Sequence, residues 1–113
     1  MEKKLYEKIN IGGVELRARL GVKDAIELER ALGCSLISIM KTQENAEDTF
    51  GSFDFICKVI TYSLRKYENG YTYDKVCDLI ETDIDNGKQL ADFIQIVIAI
   101  LEVSGFFRNT AQQ

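Results

Sequence analysis

Histidine, proline and tryptophan are absent from the 113 residues, and cysteine occurs only three times. Each absence removes a class of chemistry. Without histidine there is no Ser-His or Cys-His nucleophile pair in its usual form, and the commonest general base near neutral pH is missing. Cys34, Cys57 and Cys77 are odd in number and widely spaced, with no CxxC pair and no histidine to complete a zinc site. That is the pattern of reduced core thiols in a cytosolic protein. Positive charge is also in short supply: 14 Lys and Arg stand against 18 Asp and Glu, a net charge of −4, and the cations are scattered. A phosphate backbone would be repelled, so nucleic acid is not an expected partner. The first five residues are charged and lack the apolar stretch of a signal peptide. The richest apolar run, residues 93–101, is about half the length of a membrane span and is bounded by Asp92 and Glu102, so no membrane is expected either.

What is present is a chain of single-domain length that is 46% hydrophobic, enough to bury a core without a metal or disulfide staple. With no proline, no low-complexity linker and no internal repeat, residues 1–113 read as one domain. From Leu5 to Leu20 apolar and polar residues alternate, and the phase changes across Gly12 and Gly13 as a hairpin requires. A two-residue turn sets Ile11 opposite Val14, Ile9 opposite Leu16 and Leu5 opposite Leu20 on one core face. Asn10 with Glu15, Lys8 with Arg17 and Tyr6 with Arg19 then lie on the wet side.

At Gly21 the period changes to that of a helix. Ala25, Leu28 and Leu32 form one stripe, with Gly33 as the C-terminal cap, and Ser35 caps a short helix from Leu36 to about Met40. Residues 42–49, TQENAEDT, have no apolar stripe and read as a loop or a frayed helix end. Residues 50–67 predict a third helix carrying Phe53, Ile56, Cys57, Ile60, Leu64 and Tyr67 inward. Phe55, Val59 and Tyr62 make it apolar nearly all round, as in a helix that is central or shared with a partner. Thr72 caps the next helix, whose inward residues are Tyr73, Val76, Cys77 and Ile80, and Asn86 and Gly87 end it. The last runs from about Lys88 to Ser104 with Leu90, Phe93, Ile94, Val97, Ile100 and Leu101 on one face. The expected fold is α+β and mainly α: a hairpin at about 5–20, four or five helices over about 22–107, and a frayed tail at 109–113.

Candidate chemistry is sparse. A reactive cysteine needs a neighbouring cation or a helix N-terminus, and Cys34 is the one thiol beside a predicted helix start; a core or cap residue is the expected reading. Glu81, Asp83 and Asp85 lack the alternating ligands and closing glutamate of a calcium loop and read as a solvated helix end. Gly12 and Gly13 join strands and lead into no helix N-terminus, so they do not cradle phosphate. The expectation is therefore no catalytic site, no metal and no cofactor. Aromatics carry the stronger signal. Tyr67, Tyr71 and Tyr73 gather around one turn, Phe106 and Phe107 follow the expected cap Gly105, and these five with Tyr62 of the third helix are the candidate partner-binding residues. Each ring either plugs the core or belongs to a contact surface for another protein.

Three phrases carry a family resemblance: INIGGVELRARLGVKDAIELERALGCSL, a hairpin running into a Leu-Glu-rich helix that closes on Leu-Gly; YTYDKVCDLIETDIDNG, a Thr-capped acidic helix closed by glycine; and IVIAILEVSGFF, an apolar helix ending in Ser-Gly-Phe-Phe. Over residues 8 to 107, which contain these phrases, the chain resembles the tail assembly chaperones of long-tailed bacteriophages and related prophages. The resemblance implies a protein that binds the tape measure protein, keeps it soluble and recruits tail tube protein around it. It also implies the host bacterial cytoplasm as location and absence from the mature virion. Many members are made in a short form and a frameshifted longer form, and this chain looks like the short one. Self-association remains an option. An acidic antitoxin, immunity or anti-repressor protein is the alternative, and it would bind one compact partner instead of repeated segments of an extended helix. A helix-turn-helix reading fails on charge, because residues 74–85 are acidic where a recognition helix needs Lys or Arg.

Overall fold

A computed structural model describes residues 4–41 and 52–106. Two strands, β1 (Glu7–Ile11) and β2 (Val14–Ala18), pair antiparallel, with Ile11 opposite Val14, Ile9 opposite Leu16 and Glu7 opposite Ala18. Gly12 and Gly13 take φ of 59° and 79°, the two positive values that a tight two-residue turn of the right twist needs. Ile9, Ile11, Leu16 and Ala18 are buried and Val14 packs against the same core, while Lys8, Asn10, Glu15 and Arg17 face solvent.

The predicted pairing of Leu5 with Leu20 does not form, and Leu5 is 59% exposed. The reason is that the outgoing chain leaves its partner strand. Arg17 N–H donates to Glu68 Oε2, Arg19 N–H to the Ser63 carbonyl and Leu20 N–H to Ser104 Oγ, so these backbone donors are satisfied by the helices. Leu20 is buried through that docking.

Five helices follow among the described residues: α1 (Val22–Leu32), α2 (Leu36–Lys41), α3 (Phe53–Leu64), α4 (Tyr73–Asp85) and α5 (Leu90–Val103). Their ends follow local chemistry. Gly33 closes α1 in the left-handed conformation, its N–H on the Glu29 carbonyl; Ser35 accepts from Ser38 N, Ser52 from Phe55 N and Thr72 from Lys75 N. Asp92 reaches back to Gln89 N in a capping box at the start of α5. The third helix is shorter than its apolar pattern predicts. It starts after Ser52 and ends at Leu64, with residues 65–67 in a turn; the expected start at Phe50 and the loop reading of residues 42–49 lie outside the described residues.

The hairpin and helices share one core. In the middle of it, α3 packs against α1, α4, α5 and β2, and buries Phe55, Ile56, Cys57, Val59, Ile60 and Leu64. That explains its nearly all-round apolar sequence from within the chain. Two of the predicted inward rings stay outside: Phe53 is 45% and Tyr73 38% exposed. Both are the first residues of their helices. On α5 the predicted face is inside, with Phe93, Val97, Ile100 and Leu101 buried.

Asp83 departs from the solvated helix end that the sequence predicts. Its side chain is 6% exposed and Oδ2 accepts from Gly12 N at 2.9 Å, pinning the hairpin turn to α4, with Lys88 Nζ 3.8 Å away. Leu79, one turn earlier, closes over the same glycine.

Candidate functional site

Two concavities flank the contact between α3 and α4. The first is an open cleft of about 530 Å³ lined by Lys58, Thr61, Tyr62 and Arg65, and by Gly70, Tyr71, Thr72 and Tyr73. α3 supplies the first three at a spacing of three to four residues, which sets them along one edge. The Gly70 turn, with φ of 82°, folds the chain back so that Tyr71 and the first residue of α4 form the other wall.

Its electrostatics differ from those of the chain as a whole. The lining holds two cations and no carboxylate. Arg65 lies over the Tyr62 ring, 4.1 Å from its centroid, and Lys75 over Tyr71 at 4.9 Å. Both cations of the lining are already paired with exposed carboxylates beside the cleft: Lys58 Nζ meets Asp54 Oδ2 at 2.9 Å and Arg65 Nη1 meets Glu27 Oε1 at 2.7 Å. Tyr73 OH donates to the other oxygen of Asp54 at 2.7 Å. Those bonds from Lys58 and Tyr73 hold the Asp54 carboxyl below its usual range, and the same carboxylate pushes the Tyr73 phenol up. Thr61 is 5% exposed, and its Oγ1 is enclosed with no hydrogen-bond partner, alone in this among the buried side-chain polar atoms described.

The second concavity is a shallower groove of about 220 Å³ lined by Phe53 and Cys57 of α3 and by Cys77, Ile80, Glu81 and Ile84 of α4. Apart from Glu81 its surface is apolar. Burial, and then the neighbouring Cys77 thiol, push the Cys57 thiol up to about 12. It is therefore a packing group at neutral pH, and a poor nucleophile. Cys34 is exposed and Cys77 half-buried, and all three thiols are free.

The aromatic cluster predicted from the sequence thus divides. Tyr62, Tyr71 and Tyr73 come together in the cleft. Tyr67 lies elsewhere, its ring 5.1 Å from Tyr6 and near the Arg17 guanidinium, beside the Arg17–Glu68 pair. Phe106 is half-buried against the core, and its N–H donates to the Leu101 carbonyl, the hydrogen bond that closes a helix after a left-handed glycine. It lines neither concavity. Phe107 lies outside the described residues.

Sequence reasoning missed Lys58, Thr61 and Arg65, and the pairing of Phe53 with Ile84 across the groove. Two cations seven residues apart, Lys58 and Arg65, with Thr61 between them on one edge of an apolar helix, were the available signal for the first group. Among the described residues no helix is long and apolar enough to cross a membrane. No curated protein and no solved structure shows significant similarity to the chain. A family model does match, over residues 2–113, and the chain belongs to that family, which is described as a family of unknown function (DUF6096).

Proposed function

We propose that the chain is a non-catalytic tail assembly chaperone of a long-tailed phage or prophage. In this reading it binds the tape measure protein in the host bacterial cytoplasm, keeps it soluble while tail tube protein is recruited, and is left out of the mature virion. The sequence resemblance over residues 8 to 107 motivates the proposal. On the structural side it is supported by one feature, the apolar groove whose rim leaves Phe53 45% and Ile84 38% exposed. A folded domain gains nothing internally from large apolar groups left half in water, whereas the apolar stripe of a tape measure helix would cover them.

Magnitudes favour a transient grip. Fully burying a large apolar side chain is worth about 1.5–3 kcal/mol, and Phe53 and Ile84 are already more than half buried, so covering both yields less than that apiece against an association cost of roughly 4–15 kcal/mol. A single segment is therefore held weakly, and several copies along a repetitive helix hold by avidity until the tube protein displaces them. The direct test is co-expression with tape measure fragments that are insoluble alone. The native chain should keep them in solution and co-purify, and a Phe53→Ser, Ile84→Ser double variant should fold normally and fail to do so. Fragments equally insoluble with and without the native chain would refute the proposal. Neighbouring reading frames give a second check: a tail tube gene upstream and a very long tape measure gene downstream are expected.

A further inference from the structure

We infer that the outer edge of β1 is a docking site for an extended segment of a partner protein, which joins the hairpin as a third strand. The inference is independent of the tape measure reading and of the groove between α3 and α4.

The hairpin has two edges, and the fold treats them differently. Along a strand the N–H and C=O of one residue point to one side and those of the next residue to the other. The two-residue turn joins Ile11 to Val14, and hence Ile9 to Leu16, by hydrogen bonds, which leaves Lys8 and Asn10 of β1 and Arg17 of β2 aimed away from the hairpin. On the β2 side the rest of the fold takes up what is offered. Arg17 N–H donates to Glu68 Oε2 at 3.0 Å, which fixes the phase of the ladder, and past the strand end Arg19 N–H donates to the Ser63 carbonyl at 2.8 Å. On the β1 side no hydrogen bond among the described residues reaches the N–H or C=O of Lys8 or Asn10. Two donors and two acceptors on alternate residues are thus left in a row.

A concavity of about 640 Å³ lies along this edge. Four consecutive residues of β1, 7–10, line it and none of β2 does. A hollow over one face of the strand would touch alternate residues, so this one follows the edge. Its other wall is a stripe of α5 at helical spacing, Asp92, Gln95, Ile96 and Ala99, with Ile96 and Ala99 half-buried. An extended backbone in this space would meet the free groups of β1, and every second side chain would lie against Ile96 and Ala99.

The row of main-chain groups selects the occupant, because a polypeptide strand repeats donors and acceptors at the same interval and a small molecule does not. A second copy of the chain fits poorly. Pairing β1 with β1 about a twofold axis would bring the copy's own α5 to the wall where α5 already stands. A segment that carries no helix beside it has no such conflict.

The probe is an acetylated, amidated peptide, Lys-Thr-Val-Thr-Ala-Thr-Lys, whose Val and Ala can face α5 and whose terminal lysines keep it soluble. Amide hydrogen exchange of the full chain is followed by NMR with and without it. In the free protein Lys8 and Asn10 should exchange fast, and Ile9 and Ile11, bonded to β2, slowly. Saturating peptide should slow Lys8 and Asn10 by at least about tenfold. Two analogues carry N-methyl groups, one on Val and Ala and one on every Thr. Only one of these sets of N–H groups can face β1, so one analogue should lose the effect and the other keep it. Asn10→Pro removes a donor that the fold leaves unused; it should keep the denaturant midpoint and weaken peptide binding at least about tenfold, and Lys8→Pro should do the same. No protection by the peptide, equal behaviour of the two analogues, or full binding by folded proline variants would overturn the inference, and the analogues decide it if both variants fail to fold. Slow exchange at Lys8 and Asn10 without peptide would overturn the choice of a partner protein, in favour of a second copy if it grows with protein concentration and of this chain's own residues if it does not. The Phe53→Ser, Ile84→Ser variant should respond to the peptide as the native chain does, so the edge and the groove fail separately.

Discussion

Gly12 is the residue at which chain conformation, packing and hydrogen bonding depend most on one another. Its φ is 59°, a Cβ there would stand 2.5 Å from Leu79 Cδ2 and 3.0 Å from Leu79 Cα, and its N–H is held by the buried Asp83. Gly13 has φ of 79° and nothing within 4 Å of such a Cβ. Gly12→Ala should therefore cost about 3 kcal/mol or more, through strain and overpacking together, and Gly13→Ala only about 1 kcal/mol, through strain alone. Denaturant midpoints of the two variants check this. Asp83→Ala should cost about 1–3 kcal/mol by leaving Gly12 N–H unpaired, whereas Asp83→Asn keeps an acceptor oxygen and should cost less. The turn glycines were legible in the sequence because a phase change in alternation demands positive φ. The partner of Gly12 was not, since an acid near a helix end looks solvated until a distant turn is seen to cover it. For the thiols, Cys57→Ala should lose about 1–3 kcal/mol from packing. In the native state an aqueous disulfide reagent should titrate Cys34 fastest and reach Cys57 only after unfolding.

At the level of elements, register and caps were readable because they depend on neighbours in sequence, while exposure was not. The pairing of Ile9 with Leu16 follows from a period of two and a two-residue turn, and it is present. The fate of Leu5 depends on Ser63 and Ser104, far along the chain, which draw β2 away from its partner. Likewise Tyr67, Tyr71 and Tyr73 could be grouped from proximity in sequence, but replacing Tyr67 by Tyr62 as the neighbour of the other two required the fold of the Gly70 turn. Phe106 fits the apolar residue that follows a left-handed helix end, so Phe106→Ser should lower stability by about 2 kcal/mol through lost packing, read as a shifted midpoint. Between elements, backbone and side-chain bonds from Arg17 hold the Glu68 carboxyl below its usual range, and Lys58 and Tyr73 do the same for Asp54. Both values are lowered on folding, so their contribution is fully present above the ordinary carboxylate range near about pH 4. It is lost as pH falls through the lowered values. Asp54 and Arg17 are largely exposed, so solvent screening keeps the contribution of either pair small. Glu68→Gln should flatten the acid limb of a stability–pH curve and leave its shape between about pH 7 and 9 unchanged, whereas Asp54→Asn should flatten both the acid limb and the alkaline limb, where the raised Tyr73 phenol loses its partner.

For the molecule as a whole, the hairpin lies against a helical core organised around α3, and the α3–α4 pair presents two concavities, one apolar and one aromatic with ion-paired edges. The overall architecture was legible because hydrophobic period, glycine and cap residues all pointed the same way. The surfaces were less so, because a ring such as Phe53 has the spacing of a core residue, and only the extent of its neighbours decides whether it is covered. The central claim is that this domain grips an apolar helix by the groove of Phe53 and Ile84. Calorimetric titration of the purified chain with a soluble helical fragment of the tape measure protein, at several temperatures, tests it most directly. Saturable binding with a negative heat-capacity change, abolished in the folded Phe53→Ser, Ile84→Ser variant, is the predicted result. No binding by the native chain, or undiminished binding by the variant, would contradict it.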